Sequence, residues 1–186
     1  KAAVTRALEL SDSFPRAGET NSTAERLADE LVQAWRHDGA AGEDAADEVV
    51  YILYRLARVT FRSQRVLRHL VEVLAAAEAH VEAAKVLAQY TALVERAWDT
   101  NGLPDDAGLA DGQPVDSPAE YVDTLLRGVH IQLAFLHDTD AAAALTDKLL
   151  RVVGRTKSDA PAVAVDAPRP IIAQILRAAA RVAAAR

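Results

Sequence analysis

The chain has no cysteine, and that absence removes disulfides and thiolate metal sites together. It fits an intracellular protein without requiring one. Aromatic residues make up only 5% of the sequence, and strict Val/Ile alternation, the signal of a strand, is nearly absent. No apolar run approaches the length of a membrane span, and no signal peptide opens the chain. Neither GxGxxG nor GxxxxGKS/T occurs, so no recognised loop cradles a nucleotide phosphate. The five histidines, His37, His69, His80, His130 and His137, lack the HExxH spacing of a zinc helix. His69 and His80 could approach one another across a helix pair, but without a thiol they read as two surface or half-buried imidazoles. Asp99-Thr-Asn101 opens like a calcium loop, yet Leu103 and Pro104 stand where an oxygen ligand and the turn glycine are required. No serine sits in a GxSxG elbow. These absences point away from an enzyme, and no catalytic, cofactor or metal residue is expected.

What is present is alanine-rich amphipathic helix. Apolar residues are 51% of the 186, enough for a real core, and the small alanines favour close helix packing over sheet. The organising stretch is Ser63–Trp98. Leu67, Leu70, Val71 and Leu74 recur at spacings of three and four, which places them on one stripe of a helix. Val81, Ala84, Leu87, Ala88, Leu93 and Trp98 repeat nearly the same pattern. The join, Ala77 to Ala84, is too short for anything but an antiparallel pair. Such a hairpin cannot bury its apolar face alone and needs neighbours to stack on. The sequence therefore predicts an all-α fold of antiparallel helix pairs stacked as a tetratricopeptide-like α-solenoid. It reads as one block over residues 1–186. A chain that opens at Lys1 and stops inside a helical pattern is expected to be a fragment of a larger protein.

Lys1–Leu10 reads as a helix or its end, and Ser11–Asn21 as a loop. Ser22-Thr-Ala-Glu25 has the form of a capping box, opening a helix with Leu27, Leu31 and Trp35 on one face. Gly39–Gly42 is a turn. Acidic residues from Glu43 to Glu48 then crowd the start of a helix reaching about Thr60, where they suit the dipole. Residues 99–116 are rich in turn formers and hold no basic residue, so a mobile acidic loop is expected. Ser117-Pro118-Ala119-Glu120 is the strongest helix start in the chain. Val122, Leu125, Leu126, Val129 and Leu133 form the stripe of that helix. Asp138 or Asp140 caps the next, which carries Ala144, Leu145, Leu149 and Val152 and closes at Gly154. Residues 155–170 read as a linker, and Ile171–Arg186 as a final helix.

One charge pattern departs from the acidic background, which has a net charge of −6. Between Tyr51 and Leu70 the charged residues are Arg55, Arg58, Arg62, Arg65 and Arg68, with no acid among them. Arginine forks match carboxylate and phosphate, so this cluster is the candidate partner-binding site for an acidic protein segment. The competing reading is a solvated face, with some arginines paired to acids of neighbouring helices such as Glu43, Asp47 or Glu72. Nucleic acid is disfavoured, because the chain is acidic and no aromatic interleaves the arginines.

The order of segments carries a resemblance. A helix ending Leu-Ala-Arg, a Ser-Gln start, Arg-His-Leu in the first hairpin helix, an acidic loop, and a Tyr-Val-x-Thr-Leu-Leu-Arg-Gly helix follow one another from about Val49 to Val153. This order resembles the fungal cargo-transport-protein family, tetratricopeptide scaffolds that are counterparts of the animal tetratricopeptide-domain protein 7. The resemblance implies a non-catalytic scaffold without cofactor. It implies two protein partners, a membrane anchor and the plasma-membrane phosphatidylinositol 4-kinase, and a cytoplasmic location held peripherally at that membrane through those partners. It assigns no binding residue. Glu78 or Ala79 stands where a tetratricopeptide hairpin usually has glycine. The rival readings are an unrelated tetratricopeptide-type trafficking or co-chaperone adaptor, and an all-α enzyme or ligand-binding domain.

Overall fold

Helix periodicity and cap chemistry set almost every described element. The structure, a computed structural model, describes residues 21–37, 43–60, 62–101, 109–110, 113–114, 116–158 and 169–185. The helices are α1 (Ser22–His37), α2 (Glu43–Thr60), α3 (Gln64–Ala76), α4 (His80–Asn101), α5 (Pro118–Ile131), α6 (Thr139–Ser158) and α7 (Arg169–Ala185), with a π turn over Gln132–Leu136. A two-residue antiparallel ladder, β1 (Leu109–Ala110) with β2 (Gln113–Pro114), is the extended structure among the described residues. The fold is all-helical, built by helix-on-helix packing, and divides into two compact units at residues 116 and 117.

In the first unit α3 is the centre. It packs against α1, α2 and α4. Ser63 caps it, its hydroxyl accepting the Val66 amide at 3.3 Å. Val66, Leu70, Val71, Val73 and Leu74 are all buried, which is more of the helix than one amphipathic stripe provides. Its C-terminus closes in a Schellman turn: the Ala79 amide donates to the Leu74 carbonyl at 2.9 Å, with Glu78 between them in the left-handed region at φ 58°. That is the place where glycine was expected. A glutamate there bears the Cβ–carbonyl crowding that glycine escapes, roughly 1–2 kcal/mol. The three residues 77–79 then lead directly into α4.

Several local expectations shift. The buried face of α4 is Ala83, Val86, Leu87, Tyr90, Val94 and Trp98, whereas Val81 and Ala88 are exposed and Ala84 and Leu93 half-buried. The true stripe passes through Tyr90, a residue whose polar end disguised it. The capping box at Ser22 is replaced by another arrangement. Asn21 is the cap, its Oδ1 accepting the Ala24 amide at 3.1 Å, while Glu25 is buried and engaged elsewhere. Asp99, Thr100 and Asn101 continue α4 instead of starting a loop, and Asp116 is buried. In the second unit α6 runs past Gly154 to Ser158. The expected helix at 1–10, the loop at 11–20, the turn at 39–42, most of the 99–116 loop and residues 159–168 of the linker lie outside the described residues.

The second unit packs α5, α6 and α7 together. Ser117 and Glu120 complete the capping box as expected: the Glu120 amide donates to the Ser117 hydroxyl at 3.3 Å, and the Ser117 amide donates to the Glu120 carboxylate at 2.9 Å. Pro118 follows at the first helical position. Tyr121, Leu125 and Val129 of α5 and Leu149 of α6 are buried. Asp138, not Asp140, caps α6, accepting the Ala141 amide at 2.9 Å.

Leu70 is 1% exposed at the middle of α3. Leu70→Ala should lower stability by about 2–5 kcal/mol, the range for removing a buried leucine side chain. Chemical denaturation monitored by helicity checks it, and an unchanged midpoint would remove Leu70 from the core.

Candidate functional site

Alternating residues of α3 carry polar groups out of the apolar core to two different neighbours. Toward α1, Ser63 donates to the Glu25 carboxylate at 2.6 Å, Arg65 to Asp29 at 3.1 Å, and His69 Nε2 contacts Asp29 Oδ1 at 2.7 Å. One turn further on, Arg36 forms a two-pronged pair with Glu72, with Nε to Oε1 at 2.7 Å and the second nitrogen on Oε2. Residues 65, 69 and 72 are spaced by four and three, so one edge of α3 faces α1 throughout. On the other edge Gln64 and Arg68 reach residue 116. The Asp116 amide donates to Gln64 Oε1 at 2.9 Å. Its carboxylate Oδ2 accepts both Arg68 Nε–H at 2.9 Å and the Tyr90 hydroxyl at 2.8 Å.

The five arginines consequently divide. Arg65 and Arg68 are held by Asp29 and Asp116 and act in the architecture. Arg62 lies at the α2–α3 corner in the left-handed region, φ 75°, and is also engaged by other groups. Arg55 and Arg58 form no ion pair among the described residues, and Arg58 is exposed. They continue a surface begun by Tyr51 and Tyr54, which are 63% and 42% exposed. Positions 51, 54, 55 and 58 share one face of a helix. The Tyr54 phenol is pushed above its ordinary pKa by burial and then by the Glu82 carboxylate, which brings the start of α4 to the edge of this face. Two of the five sequence-predicted cations thus share a helix face without an ion pair among the described residues, beside two tyrosines that the charge pattern concealed.

No family model, curated protein or solved structure matches this chain. The site is therefore read from its own chemistry. No group of three or more His, Asp or Glu residues among the described ones is arranged to hold a metal ion. His69 and His80 do not form such a site. His69 belongs to the α1–α3 contact, its Nδ1 buried and without a hydrogen-bond partner among the described residues.

That orphan nitrogen and the burial of the ring both favour neutral His69. Burial lowers its pKa below 6.5, the Asp29 hydrogen bond pulls upward, and Arg68 pushes down again. The salt-bridge geometry alone would favour imidazolium. We assign the neutral ring, because a proton on Nδ1 would bury a donor that faces no acceptor among the described residues. The folded chain then binds fewer protons here than the unfolded chain, so the site removes stability as pH falls below about 6.5. Between pH 7.5 and 5.5 the melting temperature of the wild type should drop more than that of His69→Gln. Equal slopes would show that folding does not perturb His69.

The Asp116 anchor gives a second test. Asp116→Ala removes the buried carboxylate that Arg68 and Tyr90 share and should cost about 3–5 kcal/mol. Tyr90→Phe, which removes one donor to the same carboxylate, should cost about 1–2 kcal/mol. Urea denaturation of both variants checks the ranking; the reverse order would place the main anchor on the tyrosine.

Proposed function

We propose that the protein is a non-catalytic helical scaffold that receives a partner on the exposed face of α2. The observation that carries this is the grouping of Tyr51, Tyr54, Arg55 and Arg58 on that face, with Arg55 and Arg58 free of ion pairs among the described residues. Tyrosine and arginine are the side chains that most often dominate protein interfaces, since each combines apolar area with directional polar groups. A cationic face on an acidic chain selects an acidic partner segment and steers its approach.

The stacked-pair reading is supported by neighbour relations in the first unit. α1 packs on α2 and also on α3, and α3 packs on α4. That is how successive tetratricopeptide hairpins meet, first helix on first helix. The narrower reading rests on the segment-order resemblance: the partners would be a membrane-anchored protein and a phosphatidylinositol 4-kinase, with the scaffold held at the inner face of the plasma membrane through them. No helix among the described residues is long and apolar enough to cross a membrane.

Arg55→Glu/Arg58→Glu tests the proposal directly. Affinity for the purified anchor protein should fall by about tenfold or more at low salt, mainly through the association rate. The wild-type affinity should itself weaken as ionic strength rises and screening shortens to about 8–10 Å. Stability should change by less than about 1 kcal/mol, because neither side chain forms an ion pair among the described residues. Wild-type affinity in the double variant would end the proposal for this face. Loss of binding to the anchor together with retained binding to another acidic partner would redirect the partner assignment alone.

A further inference from the structure

The second unit contains a cleft of about 780 Å³, independent of the α2 face and within the size range that accommodates small organic ligands. Its floor is apolar, with Val129 of α5 and Leu133 of the π turn among the lining residues. Its rim is basic. Arg177 and Arg181 lie one turn apart on α7, and His130 and His137 border the same space. Among the described residues no aspartate or glutamate lines the cleft. Neither guanidinium forms an ion pair with a described residue. Asp138, next to His137 in sequence, is occupied in capping α6 through the Ala141 amide.

The π turn is what carries the chain around this rim. The Gln132 carbonyl accepts the amides of both His137 and Asp138, and the wide turn ends with His137 in the left-handed region at φ 53°. Wide turns of this kind recur at functional sites, where the extra residue re-aims side chains. His130 stacks edge-on against Phe135, their ring centroids 5.5 Å apart, so one imidazole of the rim is braced.

An apolar cleft alone would accept a neutral hydrocarbon, and an arginine pair alone would accept any anion. Joined on one cleft they select a molecule that carries both features. We propose that this cleft binds a single-chain anionic amphiphile, its carboxylate or phosphate head on Arg177 and Arg181 and its acyl chain over Val129 and Leu133. Charge-assisted hydrogen bonds from two guanidinium groups supply the head contact, and area removed from water supplies the tail contact. The acyl chain comes either from a free fatty acid or from a single-chain lysophospholipid held in a bilayer, and the test separates these sources.

Calorimetric titration of the full chain with sodium laurate, below its micelle concentration, should show saturable binding. Arg177→Gln/Arg181→Gln should weaken it by about tenfold or more, and 1-dodecanol should bind wild type at least about tenfold more weakly than laurate. Both arginines are exposed, so the double variant should keep wild-type helicity and melting temperature. In parallel, the protein is sedimented with phosphatidylcholine vesicles containing lysophosphatidic acid, which has one acyl chain. Sedimentation that the double variant abolishes, without laurate binding, assigns the acyl chain to a bilayer lipid. Absence of binding to both probes overturns the proposal. So does equal binding by the folded double variant, or dodecanol binding as tight as laurate.

Discussion

The Asp116 carboxylate, buried between Arg68 and Tyr90, is the interaction on which the first unit depends most. A buried carboxylate costs several kcal/mol to desolvate unless charge and hydrogen bonds surround it. Asp116 has both, and its own amide is held by Gln64. One residue thereby joins α3 and α4 to the end of the segment that follows α4. The opposite edge of α3 makes a matching set of contacts with α1 through Glu25, Asp29 and Arg36. Apolar burial on α3 supplies most of the driving force, while the two polar edges decide which neighbours it accepts and in which register.

This division of labour explains why the arginines of the cluster differ in their partners. Arginines on α3 lie where acids from α1 and from residue 116 arrive, and they are used up in holding the fold. Arg55 and Arg58 on α2 face no such acid among the described residues. They stand beside the exposed Tyr51 and Tyr54, outside the buried core. In the second unit the same logic applies to Arg177 and Arg181, which border an apolar cleft with no acid among its described lining residues. Charge left unspent by the architecture is what marks both surfaces.

Local signals in the sequence were sufficient for the helices but not for their polar contacts. The Ser117–Glu120 box, the Pro118 start and the Leu70 stripe were legible because each is written within four residues. Glu25 was misread because the same Ser-x-x-Glu pattern serves equally as a capping box or as a helix start with a buried acid. Its partner, Ser63, lies 38 residues away. Asp29 with Arg65, and Arg68 with Asp116, are separated by 36 and 48 residues, so no periodicity announces them. The basic rim of the cleft was hidden likewise, since His130, His137, Arg177 and Arg181 meet only after α5 and α7 pack. On α4, Tyr90 escaped the apolar count although its ring is wholly buried, because its hydroxyl is needed by Asp116.

If α3 and its two polar edges form one cooperative unit, they must open together. Native-state hydrogen exchange followed residue by residue measures this directly, because the Asp116 amide is bonded to a side chain of α3 and to no helix of its own. The account predicts that the Asp116 amide and the central amides of α3 and α1 exchange with the same opening free energy and the same denaturant dependence. An Asp116 amide that exchanges orders of magnitude faster than that of Leu70 would contradict it. The anchor would then be a surface contact, and α3 would hold its neighbours by apolar packing alone.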